Sequence, residues 1–184
     1  MANISRLRSI YLSYLSSPSS DRSIYRAICR RQAGRILELG IGVGQRAIRM
    51  IEAAGCFHPP RETFYYGLDP FEGRSSVDGP GVTLKMAHRL LNATGARIQL
   101  LPGPPCETLA RTANNLGQVD LIVISSRLDP KQLAEAWFYI PRLLHTQSDV
   151  FLESLLPGSK TAVRLLSRAE IEANASRGEL RRAA

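Results

Sequence analysis

The segment Leu37-Glu38-Leu39-Gly40-Ile41-Gly42-Val43-Gly44-Gln45 constrains this chain more than any other. A short apolar run, Arg35 to Leu39, reads as a strand, and three glycines at alternate positions follow it at once. Glycine reaches positive φ without a Cβ penalty, so this run lets the backbone reverse sharply and approach a ligand closely. An apolar-periodic stretch comes next, with Ala47, Ile48, Ile51 and Ala54 at the spacing of one helix face. Strand, glycine turn and helix in this order open a βαβ unit. In open parallel sheets, ligands bind at the carboxyl ends of strands, near the point where strand order reverses.

The same alternation continues downstream. Strands are expected at 63–69, 97–101, 119–125 and 149–155, and helices at 83–94, 106–117 and 130–144. Short connections between them imply right-handed crossovers and a parallel sheet covered on both faces. After Pro157-Gly158, residues 161–166 are expected to pair back on 149–155 as an antiparallel strand, and Ser167 with Glu170 forms a capping box before a last helix. The fold class is therefore α/β: a three-layer αβα sandwich with a doubly wound, mostly parallel sheet. The loop from Phe71 to Pro80, rich in Ser and Gly, is the expected mobile part.

Residues 1–33 are read as an N-terminal helical arm and 34–184 as the cofactor-binding domain. The first twenty residues are rich in Arg and Ser and poor in acids, a composition shared with organelle transit peptides. The alternative adopted here is an amphipathic helix that docks through Leu7, Ile10, Tyr11, Tyr14 and Leu15. Pro18 ends it, Asp21 is the expected N-cap of a second helix over 22–32, and Gly34 closes that helix.

Charge narrows the classes of partner. The net charge is +8, but residues 1–33 hold six Arg against Asp21, and 160–184 hold six basic groups against three acids. The middle of the chain is neutral, so a nucleic-acid surface would have to lie on the flanks. Three scattered cysteines, Cys29, Cys56 and Cys106, give neither a disulfide framework nor a zinc finger. No apolar run approaches the ~18 residues of a membrane span, and a cytoplasmic location is expected. His58, His88 and His145, the last two placed on helices, form no metal constellation. Trp137, Phe138 and Tyr139 are read as sheet-packing residues, and Cys106 has no partner base to activate it.

The glycine turn does not match two common nucleotide motifs. A dinucleotide fingerprint needs glycine where Gln45 stands, and the second acid, Asp69, lies beyond the ~20-residue spacing of a nicotinamide site. No Gly-Lys-Ser/Thr follows the turn, which excludes a P-loop. Instead, Glu38-x-Gly40-x-Gly42-x-Gly44 after the first strand, with Asp69 ending the second, resembles the class I S-adenosylmethionine-dependent methyltransferases. The likeness covers residues 35–155.

That resemblance implies a cofactor, S-adenosyl-L-methionine, and a set of residues to hold it. Gly40, Gly42 and Gly44 would admit its methionine and ribose portions, and Glu38 would order its amino group directly or through water. Asp69 would take the two ribose hydroxyls, with Glu72 as a poorer candidate. After the third strand the family's usual adenine-side acid is replaced by Pro102-Gly103-Pro104-Pro105-Cys106-Glu107, so Glu107 is expected to act one turn later. After the fourth strand, Ser125-Ser126-Arg127-Leu128-Asp129-Pro130 matches no acceptor-defining motif, and Asp129 is read as a helix N-cap. Members of that family usually end with an extra helix and an antiparallel strand pair; the residues after the fifth strand are too few for the whole arrangement, so a shortened C-terminal end is expected. The expected activity is methyl transfer to an unidentified acceptor, with no metal and no catalytic residue assignable. The alternatives are a catalytically degenerate cofactor-binding or interaction domain and, third, a nucleic-acid methyltransferase using the basic flanks.

Overall fold

The structure is a computed structural model that describes residues 2–74, 79–158 and 160–183. Apolar runs of five or six residues form β1 (Arg35–Leu39), β2 (Phe64–Asp69), β3 (Arg97–Pro102) and β4 (Val119–Ile124), followed by the longer β5 (Leu144–Leu156) and β6 (Lys160–Leu165). They make one sheet in the order β3-β2-β1-β4-β5-β6, in which only β6 runs antiparallel. Strand order reverses between β1 and β4, so the glycine turn after β1 opens at the switch point. The mobile loop anticipated at 71–80 falls partly outside the described residues.

Period-two alternation in the strands sorts the core into two layers. On one face, Ile36, Tyr65, Leu121, Val123 and Phe151 meet α1 (Ala2–Tyr14), α2 (Arg22–Arg31), α3 (Gln45–Ala54) and α4 (Leu84–Asn92). On the other, Leu37, Leu39, Leu68, Ile122 and Val150 meet α5 (Pro105–Leu116), α6 (Pro130–Ala136) and α7 (Arg168–Ala183). Leu12, Ile24, Tyr25 and Ile28 share the first core with the sheet, so α1 and α2 belong to its packing. Among the described residues, no helix is long and apolar enough to cross a membrane.

Four local expectations are corrected. The apolar stripe expected to dock α1 faces solvent instead: Leu7, Ile10, Tyr11, Tyr14 and Leu15 are all exposed. The helix docks through Leu12 and Ser13, and Ser16, two residues past its end, is buried beside them. The Ser16 hydroxyl satisfies itself by donating to Leu12 O at 2.7 Å. Gly34 does not close α2; Gln32 does, in the left-handed conformation at φ 52, with its N–H on Ile28 O. The helix expected over 130–144 ends at Ala136 and tightens into a 3₁₀ stretch, Trp137–Leu143. Pro141 lacks an N–H and its ring crowds the preceding turn, which opposes α-helical continuation. β5 therefore starts at Leu144, ahead of the expected 149, and His145 lies on a strand, its Nε2 3.0 Å from Asp120 Oδ1.

Other local signals hold. Asp129 Oδ1 accepts the Lys131 N–H at 3.0 Å and caps α6. Trp137 and Tyr139 are buried in the second layer, with Phe138 packed against it. Glu170 accepts from the Ser167 N–H at 2.8 Å and from its hydroxyl at 2.9 Å, forming the capping box of α7. The Ser167 amide, then the Arg164 guanidinium, hold the Glu170 carboxyl at a pKa of about 2, below the usual 4.5. A depressed folded-state pKa gives stability that is present above the unfolded value and lost as pH falls through the folded one. Amide protection in the first turn of α7 is thus expected to fade between pH 4.5 and about 2. Hydrogen exchange against pH checks this, and Glu170→Gln should abolish the pH dependence.

Candidate functional site

The glycines after β1 adopt positive φ, at 88° for Gly40, 61° for Gly42 and 80° for Gly44. At Gly40 space is also limiting, since a Cβ there would lie 2.7 Å from Ser125 Cβ. That approach is fixed by the sheet: the Gly40 N–H bonds Leu68 O at 2.7 Å and the Ser125 N–H bonds Leu39 O at 2.9 Å. Gly42 points its N–H at Asp69 Oδ2, 3.1 Å away. Asp69 Oδ1 accepts from the Phe71 N–H at 2.9 Å and from the Arg74 guanidinium. The carboxylate that ends β2 therefore ties the glycine turn to the following loop. Glu72 is engaged elsewhere, accepting the Leu84 N–H at 3.0 Å.

Glu38 is fully buried, on the same sheet face as Ile36 and Tyr65. A charge in that layer requires a partner, and the first turn of α3 brings Arg46, two residues after Gly44, with Nε 2.7 Å from Glu38 Oε1. Oε2 accepts from the Tyr65 hydroxyl. The Tyr65 ring leans over Gly67, where a Cβ would lie 2.9 Å from its Cε1. Burial pushes the Glu38 carboxyl up, against the pull of Arg46, and raises the Tyr65 phenol well above its usual range. Arg46 also faces Glu153 at 3.3 Å and Asp21 at 3.8 Å. Glu153 is desolvated too, but Arg46, the Ser126 amide and the Ser125 and Ser126 hydroxyls hold its pKa down.

Above this buried network lies a cleft of about 220 Å³. Gly40 to Val43 form one wall, Ser125, Arg127 and Glu153 another, and Asp21, Arg46 and Arg49 complete it. A smaller recess of about 10 Å³ adjoins it at Asp69, Arg74 and Leu128. The structure thus brings Gly40, Gly42 and Asp69 together and places Gly44 at the N-cap of α3. Glu38 supports the cleft from beneath and does not line it. Glu107 is exposed in the first turn of α5 and lines neither hollow.

Sequence reasoning missed Arg46, Tyr65, Arg127 and Glu153, and gave Asp21 only a capping role. One signal was available: an acid inside an apolar strand demands a cation, and Arg46 is the first basic residue after the turn. Glu153, an acid in the apolar run of β5, carried the same signal, but its partners, Arg46 and the Ser125–Ser126 pair after β4, are remote in sequence. Among the described residues, no group of three or more His, Cys, Asp or Glu could hold a metal ion. His58 bonds the Gln32 carbonyl at 2.6 Å.

No protein-family model matches the chain, and none of the curated proteins matches it. Solved structures do match in fold. Cofactor-bound Rv0187 from MTB superposes with a TM-score of 0.57 at 18% identity, over 97% of this chain and 75% of that one. The O-methyltransferase from Bacillus cereus, in complex with SAH, gives 0.57 at 14% identity, over 99% and 78%. CalS11, a calicheamicin methyltransferase, gives 0.57 at 16% identity, over 90% and 92%. The architecture shared with these structures is a mostly parallel αβα sandwich.

Proposed function

We propose that the chain binds S-adenosylmethionine at the carboxyl ends of β1, β2 and β4 and is a methyltransferase of unidentified acceptor. The observation that carries this reading is the Gly42 N–H held on the Asp69 carboxylate beneath an open cleft. Gly40 and Gly42, both at positive φ, bare the backbone along one wall of that cleft, as a nucleoside lying against it requires. The bound cofactor would supply a methyl group on a sulfonium, and the chain's residues would bind, orient and exclude water.

In this reading Gly40, Gly42 and Gly44 lie against the methionine and ribose portions. Asp69 takes the ribose hydroxyls, and the Arg74 guanidinium that now engages it yields. A carboxylate offers acceptors to two neighbouring hydroxyls, and such charge-assisted bonds are the stronger kind. Glu38 acts through Arg46 instead of on the ligand, and Glu107 is proposed on the adenine side. Equilibrium dialysis with labelled S-adenosylmethionine tests the assignment. Gly42→Val and Asp69→Ala are each expected to weaken binding by about tenfold or more, one through lost backbone approach and one through a lost charged acceptor. Unchanged affinity in both would place the site elsewhere.

A second reading, cofactor binding without transfer, draws on the end of β4. Asp129 is spent on capping α6, and Ser125 and Ser126 are spent on Glu153. The third reading, a nucleic-acid substrate on the basic flanks, has less support. Arg8 is paired with Glu52, and Arg30 and Arg31 with Asp149, so part of the arm's charge is met within the fold.

A further inference from the structure

Asp21 has no task in the reading above, yet it lines the cleft and is only 4% exposed. It stands at the N-cap position of α2 but makes no capping hydrogen bond. Its Oδ1 is buried and makes no hydrogen bond within 3.5 Å among the described residues; the neighbouring Tyr25 hydroxyl is buried and equally unpartnered. The nearest cation, Arg46 Nη1, is 3.8 Å away, beyond hydrogen-bond reach, and Arg46 directs its donors to Glu38 and Glu153. A buried carboxylate oxygen left without a donor is costly, so the position calls for a ligand that brings one.

The other acids at the site are already committed. Glu38 is closed off by Arg46 and Tyr65, and Glu153 accepts from Ser125, Ser126 and Arg46. Asp21 is therefore the acid of this cleft with an oxygen still to fill. Arg49 and Arg127 line the same cleft, which gives it both signs of charge, the complement of an amino-acid zwitterion.

We infer that Asp21, contributed by the N-terminal arm, accepts the α-ammonium of the ligand's amino-acid portion, the task that the sequence assigned to Glu38. This rests on the S-adenosylmethionine reading and makes the arm part of the binding site. The ligand's carboxylate then falls to the arginine side of the cleft. Recognition of the amino-acid end depends on a residue before α2, outside the strand–turn–helix motif.

Titration calorimetry on the full chain separates this inference from the reading beneath it. The probes are S-adenosylhomocysteine and its deamino analogue, each on the wild type and on Asp21→Asn. The wild type is expected to bind the deamino analogue about tenfold or more weakly, as loss of one charge-assisted bond requires. Asp21→Asn should weaken S-adenosylhomocysteine by a similar factor and change the deamino analogue by less than about twofold. Asn is itself a good N-cap, and circular dichroism of the variant verifies its fold. Equal weakening of both probes by the substitution, or equal affinity of the wild type for both, overturns the role of Asp21 and leaves the cofactor site standing. Failure of the wild type to bind S-adenosylhomocysteine overturns both.

Discussion

Glu38→Ala is expected to destabilise the chain by about 3–5 kcal/mol, the range for removing one partner of a buried ion pair. The magnitude follows from what is left behind. Arg46, 12% exposed in its side chain, loses the carboxylate at 2.7 Å, and the buried Tyr65 hydroxyl loses its acceptor. Two other acids of the site are then affected, because Arg46 also steadies Glu153 and faces Asp21. The Arg8–Glu52 pair is the internal control. Its side chains are 44% and 35% exposed, and Arg8→Ala should cost no more than about 1 kcal/mol. Urea denaturation of the two variants measures both values. Similar small losses would mean that Glu38 is not the buried keystone of the network.

Gly40→Ala is the second large effect, expected at about 2–5 kcal/mol. Positive φ costs an L-residue roughly 1–2 kcal/mol, and forcing a methyl into a packed site about 1–3 more. The collision is with Ser125 Cβ at 2.7 Å, an atom fixed to the backbone that cannot swing away. Because Ser125 also serves Glu153, the strain passes directly into the cleft. Gly158→Ala isolates the dihedral part, since Gly158 has φ 77 and no neighbour within 4 Å of a Cβ. It should cost only the φ component. If the two variants unfold at the same denaturant concentration, the close approach of the β1 and β4 ends is refuted.

The parts of this molecule that were legible in the sequence are those set by local chemistry. β1 falls on Arg35–Leu39 as read, because five apolar-biased residues between Gly34 and Gly40 leave no room for another register. The caps at Asp129 and Ser167 are legible because a side chain bonds its own neighbouring amides. The docking face of α1 was not legible. Its hydrophobic periodicity marks Leu7, Ile10, Tyr11, Tyr14 and Leu15, yet tertiary packing favours the narrow Leu12–Ser13–Ser16 edge. Similarly, the pairings of Arg46 with Glu38 and Glu153 join residues 8 and 107 positions apart, and no local rule specifies the second. Asp21 shows the same limit. Its N-cap position is readable, whereas its aim into the cleft depends on how α2 packs on the sheet.

The central claim is that a nucleoside sulfonium site sits on the glycine turn. It is tested most directly by titrating the folded chain with S-adenosylhomocysteine and, in parallel, with NAD. Saturable binding of S-adenosylhomocysteine at one site, with none of NAD, is the predicted result, since Gln45 and the late acid Asp69 break the dinucleotide pattern. Absence of binding by S-adenosylhomocysteine to a chain shown to be folded would contradict the account.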